Sequence, residues 1–367
     1  MLPKDTVPLW SNDLCNHSSS FFFTIVFFFF YQWHSHHYVD SGEKASCLGV
    51  SKGGCDIDSG NTYYKYLMKG VKEGLCSMSD VDARLFNSFR VRFRLGLFDS
   101  QSDAYWQYGT KNIGTEASIN LNLKVAEESI VLLQHGSSGS STRVNLLPLQ
   151  QSDNLNIAVV GPLGDATRSM IQVDTGKLCP DGNFDCIESP FNAIAKLNAN
   201  GTTSYHAGCG IISNDDSQIE TAVLAAKQAD VVVLAIGITS CGDWWRSPVV
   251  PKNLMHCHFN DTDGSRYLEA EGHDRETLDL PPIQQKLSTA ILALNKPTII
   301  ILMHAGQIAI EQLLHLNHVT VVDAFYPGAM GGVALANLLF GQSNRWGKLP
   351  YTVYVLLFLQ LCHCFLE

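Results

Sequence analysis

Four short runs of branched apolar residues restrict what this chain can fold into more than any other feature. They read IAVVG at 157–161, DVVVLAIG at 230–237, TIIILM at 298–303 and VTVVD at 319–323. Each is apolar almost throughout rather than alternating, the pattern of a strand buried on both faces. A shorter run, TSY at 203–205, lies between the first two, and amphipathic stretches at 219–229 and 282–294 carry helical spacing. A further helix through Val125, Ala126 and Ile130 leads to Leu132-Leu133 and then to a Ser/Gly-rich loop at 136–142. Strands alternating with helices predict an α/β fold with a mostly parallel sheet covered on both faces. In such open sheets ligands bind beyond the carboxyl ends of the strands.

The segment YLEAEGHDR at 267–275 follows one of these strands and is itself followed by Leu278-Asp279-Leu280-Pro281. It brings Glu269, Glu271, Asp274 and Arg275 together. Carboxylates held close together cannot all ionise at their ordinary pKa, so one of them can keep a proton near neutrality. That is what a general acid needs when the leaving group is as poor as a sugar alkoxide. A solvated acidic loop is the plainer reading of the same residues. Gly161-Pro162-Leu163-Gly164 also follows a strand but lacks both the G-x-G-x-x-G spacing and a Walker lysine, so no dinucleotide site is expected. Tyr326-Pro327-Gly328-Ala329-Met330-Gly331-Gly332 opens a helix; it suits either an anion at free N–H groups or a tight strand-to-helix turn.

A length of 367 residues predicts two domains. The net charge of −10, with no basic stripe, excludes nucleic acid as a partner. The 11 cysteines include no C-x-x-C pair, and His256-Cys257-His258 lacks a third spaced ligand, so neither metal nor other cofactor is expected. Cys179 and Cys186 can close a small loop in an oxidising compartment. The sequons at Asn16, Asn200 and Asn260 permit N-glycosylation of a secreted chain. FFFTIVFFFFY at 21–31 and VYVLLFLQLCHCFL at 353–366 are shorter than the roughly 20 residues needed to cross a bilayer, so no membrane span is expected. The first also lacks a basic leader region and a small-residue cleavage site, so it does not make a convincing signal peptide.

Residues 1–45 are therefore set apart as an atypical segment, disordered or outside genuine coding sequence, and 353–367 as an atypical hydrophobic tail that truncation explains. Within 61–95, Tyr63, Tyr66, Leu67, Val71 and Leu75 form one helical face. Ser79 is expected to cap a second helix through Val81, Leu85, Phe89 and Phe93, which Gly96 stops. Arg84, Arg90, Arg92 and Arg94 suit a solvated face of that helix, with an anionic partner as the alternative.

The order of motifs resembles glycoside hydrolase family 3, in its β-xylosidase and α-L-arabinofuranosidase branch. The matching pieces are Gly54-Cys55-Asp56-Ile57-Asp58-Ser59-Gly60, Arg92-Phe93-Arg94-Leu95-Gly96-Leu97-Phe98-Asp99 and Ser129-Ile130-Val131-Leu132-Leu133. Ala158-Val159-Val160-Gly161-Pro162, the acidic segment from Glu269 to Arg275, Tyr326-Pro327-Gly328, Leu339-Phe340-Gly341 and Gly347-Lys348-Leu349-Pro350 continue the series, over about 300 residues in one order. The resemblance implies the end of a (β/α)8-type barrel at 46–98, a linker at 99–116 and an α/β sandwich at 117–352. It also implies a retaining exo-glycosidase acting on β-linked xylo- or arabino-oligosaccharides outside the cell or in the cell wall. In such enzymes a barrel aspartate is the nucleophile and a glutamate of the second domain the acid/base, with the carboxyls about 5–5.5 Å apart.

By motif position Glu269 is the acid/base candidate, with Glu271 as alternate, and Asp274 and Arg275 fix the loop by ion pairing. The branch carries its nucleophile in a Ser-Asp-Cys-Asp-like motif upstream of His-His-Tyr. Here His36-His37-Tyr38 is preceded by Ser11-Asn12-Asp13-Leu14-Cys15 and the phenylalanine run, which makes Asp13 the remnant candidate for the nucleophile. Residues 239–266, about 25 of them, read as an insertion before the acidic loop, and its Trp244-Trp245 pair is suited to stacking on a sugar. The alternatives are an inactive fragment or a non-catalytic carbohydrate-binding protein on the same sandwich domain. Oligomeric state is left open.

Overall fold

A computed structural model describes residues 25–26, 38–100, 104–137, 145–171, 178–179, 183–239, 269, 275, 277–314 and 316–354. The chain divides into two units, Met1–Thr110 and Lys111–Glu367, a division that falls inside the linker expected at 99–116. No helix among the described residues is long and apolar enough to cross a membrane.

In the first unit, strands β1 (Ile25–Val26) and β2 (Ile57–Asp58) pair in parallel. Helix α1 (Gly42–Val50) packs through Cys47 and Val50 on Leu67, and Cys47 is bonded to Cys76. Leu67 closes a π-helical turn, Tyr63–Leu67, that runs on into α2 (Met68–Lys72). Helix α3 (Met78–Arg94) is capped by Ser77, not by Ser79. Ser77 Oγ accepts from the Asp80 amide while the Asp80 carboxylate accepts from the Ser77 amide, a closed capping box. Gly96 ends the helix at a φ of 70°. Arg84 pairs with Asp56 at 3.1 Å, and Arg90 and Arg92 lie over the rings of Phe86 and Phe89. The expected apolar face of this helix is not buried: Leu85, Phe89 and Phe93 are 48%, 43% and 62% exposed.

A 3₁₀ turn, Thr110–Asn112, spans the boundary in sequence, and helix α4 (Glu116–Ser129) follows it. Its sheet has six strands: β3 (Val131–Gln134), β4 (Asn156–Val160), β5 (Thr202–His206), β6 (Val231–Gly237), β7 (Thr298–Met303) and β8 (Val319–Asp323). They lie in the order β3-β8-β7-β6-β4-β5, with β3 antiparallel to β8 and all other neighbours parallel. After β3 at one edge, the chain enters the parallel part of the sheet at β4, steps out to β5, returns across β4 to β6 and proceeds to β8. This makes the gap between β4 and β6 the point where the strand order reverses.

Alternate residues of the buried strands build two cores. Ile157, Val159, Val233, Ala235, Ile299 and Ile301 face α4, α5 (Pro190–Leu197) and α8 (Gly331–Leu339). Ala158, Val160, Val232, Leu234, Ile300 and Leu302 face α6 (Ile219–Gln228) and α7 (Pro282–Leu292). The sandwich expected from the apolar runs is the one observed.

Two buried polar side chains fix the joints of this framework. Gln284 of α7, fully buried, accepts from the Gly237 amide and donates to the Gly237 and Ile211 carbonyls, so it sets the exit of β6. Glu127 of α4, 3% exposed, accepts from Asn337 Nδ2 at 2.9 Å, Ser343 Oγ at 2.8 Å and Arg345 Nη1 at 3.2 Å. Glu127→Ala leaves those donors without their acceptor and is expected to cost about 2–3 kcal/mol in urea unfolding.

Burial pushes the Cys209 thiol up to about 12. The neutral thiol favours the fold fully below the ordinary thiol range, and that contribution is lost as pH rises toward 12. Peptide-resolved iodoacetamide labelling at about pH 8 is expected to spare Cys209 in the native chain and to modify it once guanidinium unfolds the domain.

Candidate active site

Everything that leaves the carboxyl ends of β4, β6, β7 and β8 emerges on one edge of the sheet. Of the acidic segment, Glu269 and Arg275 are described; Glu271 and Asp274 lie outside the described residues, as do Asp13, Trp244, Trp245 and the 256–258 triplet. Beyond Met303, the last residue of β7, the chain turns through His304, Ala305 and Gly306, and the amides there point at Glu269.

The Glu269 carboxylate is gripped on both oxygens. Oε1 accepts from the Ala305 and Gly306 amides, each at 3.0 Å, and from the Tyr326 hydroxyl at 3.3 Å. Oε2 accepts from the Gly306 amide at 3.0 Å and from Arg275 Nε at 3.2 Å. Arg275, whose side chain is 5% exposed, also donates through Nη2 to the Gln307 carbonyl, and Gln307 donates to the Tyr354 carbonyl. Gly306 has to be glycine here, because a Cβ would stand 2.5 Å from Glu269 Oε2 and 3.1 Å from Arg275 Nη2. Each contact made by the Glu269 oxygens is to a donor. Arg275 fixes the loop by ion pairing, as expected from the sequence, and its partner is Glu269 itself.

Beneath the clamp lies a pair that sequence reasoning missed. His304 Nε2 is 3.0 Å from Asp323 Oδ1, both side chains are 3% exposed, and His304 Nδ1 has no hydrogen-bond partner among the described residues. The His304 amide donates to the Phe325 carbonyl, and the Phe325 amide donates to Asp323 Oδ1. Phe325 is thereby held at a φ of 50°, a strained conformation for an aromatic residue that aims Tyr326 at Glu269. The signal available in the sequence was two ionisable residues ending two apolar strands. Only the β7–β8 register, with Leu302 opposite Asp323, brings them together. The Tyr351 phenol, packed edge-on to Phe325, is pushed up by burial first and then by the charges of Asp323 and Glu269. Tyr326-Pro327-Gly328 serves as the strand-to-helix turn before α8, with Gly328 at a φ of 76°. Among the described residues no cluster of His, Cys, Asp and Glu is arranged to hold a metal ion.

Glu269→Ala removes the acceptor of two backbone amides while leaving the sheet intact. Hydrogen exchange at Ala305 and Gly306 is expected to quicken by about tenfold with the β7 interior amides unchanged.

Comparison with known proteins places this geometry in a family. The profile described as "Glycosyl hydrolase family 3 C-terminal domain" matches residues 130–357, the whole of the six-stranded sheet and the edge that carries Glu269. Beta-D-xylosidase 1 of Arabidopsis thaliana is 31% identical over 321 residues, covering 87% of this chain and 36% of the relative. Beta-xylosidase/alpha-L-arabinofuranosidase 2 of Medicago sativa subsp. varia is 29% identical over 323 residues, with 87% and 36% covered. A solved family 3 exo-beta-xylosidase in complex with a xylobiose aziridine activity-based probe superposes with a TM-score of 0.65 at 25% identity, covering 86% of this chain and 35% of that one. A Listeria innocua beta-glucosidase bound to isofagomine shares the fold, with a TM-score of 0.62 at 21% identity over 85% of this chain and 38% of that one. The chain thus spans little more than a third of the length of the curated relatives it matches. A doubly wound sheet with the acidic loop at its carboxyl edge, matched over this span, makes the chain a member of glycoside hydrolase family 3.

Proposed function

We propose that this chain carries the acid/base half of a retaining glycosidase site that acts at the non-reducing end of β-linked xylo- or arabino-oligosaccharides. The observation that carries the reading is Glu269 held at the carboxyl edge of the sheet, at the ends of β7 and β8. On this reading Glu269 is the anchor, bound by Arg275 and two amides, and Glu271, two residues on in the sequence, is the residue that protonates the leaving oxygen.

The partner carboxylate is a nucleophile from the barrel side, with Asp13 its candidate in this chain and residues 46–98 the closing part of that domain. Attack on the anomeric carbon as Glu271 protonates the departing oxygen gives a glycosyl-enzyme. Glu271, now ionised, then draws a proton from the water that releases the sugar. That the relatives are xylosidases supports a glycosidase over a non-catalytic saccharide binder. Disulfides at Cys47–Cys76 and Cys179–Cys186 suit work outside the cell.

The test is hydrolysis of an aryl β-xyloside by the full chain. Glu271→Gln is expected to lower kcat by about 10²–10⁴-fold on a poor leaving group, with azide restoring turnover of Glu271→Ala as the glycosyl azide. Turnover lost in Glu269→Gln but kept in Glu271→Gln would reverse the two roles. A chain inert towards every aryl glycoside, with or without azide, would remove the catalytic reading.

A further inference from the structure

Two strands along the sheet from the β7 end that holds Glu269, the carboxyl ends of β4 and β5 open into a cavity of about 500 Å³. Its walls come from two loops, 162–169 after β4 and 207–213 after β5, and none of the residues that grip Glu269 lines it. A volume of that order is the usual size of a small-ligand site. We propose that this cavity is a second saccharide subsite, which binds a neutral xylose-type unit through Asp165 and Arg168; the choice of sugar rests on the glycosidase reading above.

The lining carries the chemistry such a ligand needs. Asp165 offers acceptors to sugar hydroxyls, Arg168 offers a fork of donors, and Thr167, Ser169 and Ser213 add hydroxyl groups. Pro162, Ala166, Ile211 and Ile212 give apolar walls for the C–H face of a pyranose. One negative and one positive side chain leave the lining without a dominant charge, which suits a neutral polyol better than a phosphate or a uronate.

Both charged groups are held from outside the cavity. Asp165 Oδ1 accepts from Ser189 Oγ, and Ser189 in turn caps α5 by accepting from the Asn192 amide at 3.2 Å. The Arg168 guanidinium lies over the Phe184 ring, 4.7 Å from its centroid. Phe184 sits within the loop closed by the Cys179–Cys186 disulfide, and its carbonyl accepts from the Ile187 amide. Partial burial also pulls the Arg168 guanidinium below its ordinary value. Groups fixed before the ligand arrives lose little freedom on binding it. The loop disulfide thereby acquires a role in recognition, as the rear support of Arg168.

The cavity and the acidic loop can be probed separately by titrating the full chain with xylobiose and with xylose while following backbone amide signals. Shifts are expected at 165–169 and 210–213. Arg168→Ala, Asp165→Asn and Ile212→Trp, the last filling the cavity without touching the α5 cap, are each expected to weaken xylobiose by about tenfold. Shifts confined to the residues around Glu269, 305–307 and 326, with all three cavity variants binding as the parent does, would overturn the subsite and leave the glycosidase reading standing. Absence of any shift at saturating xylobiose in a folded chain would overturn it as well. Intact cavity binding in a chain inert towards aryl xylosides would keep the subsite and discard catalysis.

Discussion

A parallel sheet buried on both faces has nowhere to place chemistry except at its ends. In this domain β6, β7 and β8 are buried at every residue, and helices cover both sides. Their side chains are committed to the two cores and their backbone groups to neighbouring strands. The first polar groups available to a ligand are the amides and side chains just past the last strand residues. Because the strands run the same way, those groups from β4, β6, β7 and β8 collect along one edge. The edge is thus a consequence of topology before any residue on it is chosen, and Gln284 holds its central exit by binding both polar groups of Gly237.

A carboxylate that accepts from two amides, a hydroxyl and a buried arginine is worth much to the shape of the chain around it. Taking Glu269 as the anchor explains why Arg275 is buried and why Gly306 must be glycine. It also gives the His304–Asp323 pair a place in the design. That pair holds Phe325 in its left-handed conformation, and Phe325 sets where the Tyr326 hydroxyl meets Glu269.

The strands at 298–303 and 319–323 were legible to the residue, because an unbroken apolar run bounded by polar residues has few other uses. The direction of β3 was not, since four residues with only Val131 fully buried carry no mark of antiparallel pairing. The cap of α3 shows how local signals degenerate. Ser77 and Ser79 each have an aspartate three residues on, at Asp80 and Asp82, and the sequence offers no way to rank the two boxes. Periodicity likewise gave Leu85, Phe89 and Phe93 a common face but could not say whether anything covers it. Sequence order could not show what holds Glu269, because its partners include the amides of Ala305 and Gly306, more than thirty residues downstream.

The described carboxylates along this edge differ in what their partners leave over. Glu269 is taken up by two amides, a hydroxyl and Arg275, and Asp323 by His304 and the Phe325 amide. Asp165, by contrast, has Oδ1 bound by Ser189 Oγ and stands on the lining of the cavity beyond β4 and β5, which neither Glu269 nor Asp323 lines. A carboxylate whose partners lie in the framework shapes the edge, whereas one that borders a cavity keeps lone pairs for a ligand. That difference in partners, not a difference in residue type, is why the proposed saccharide subsite is built on Asp165.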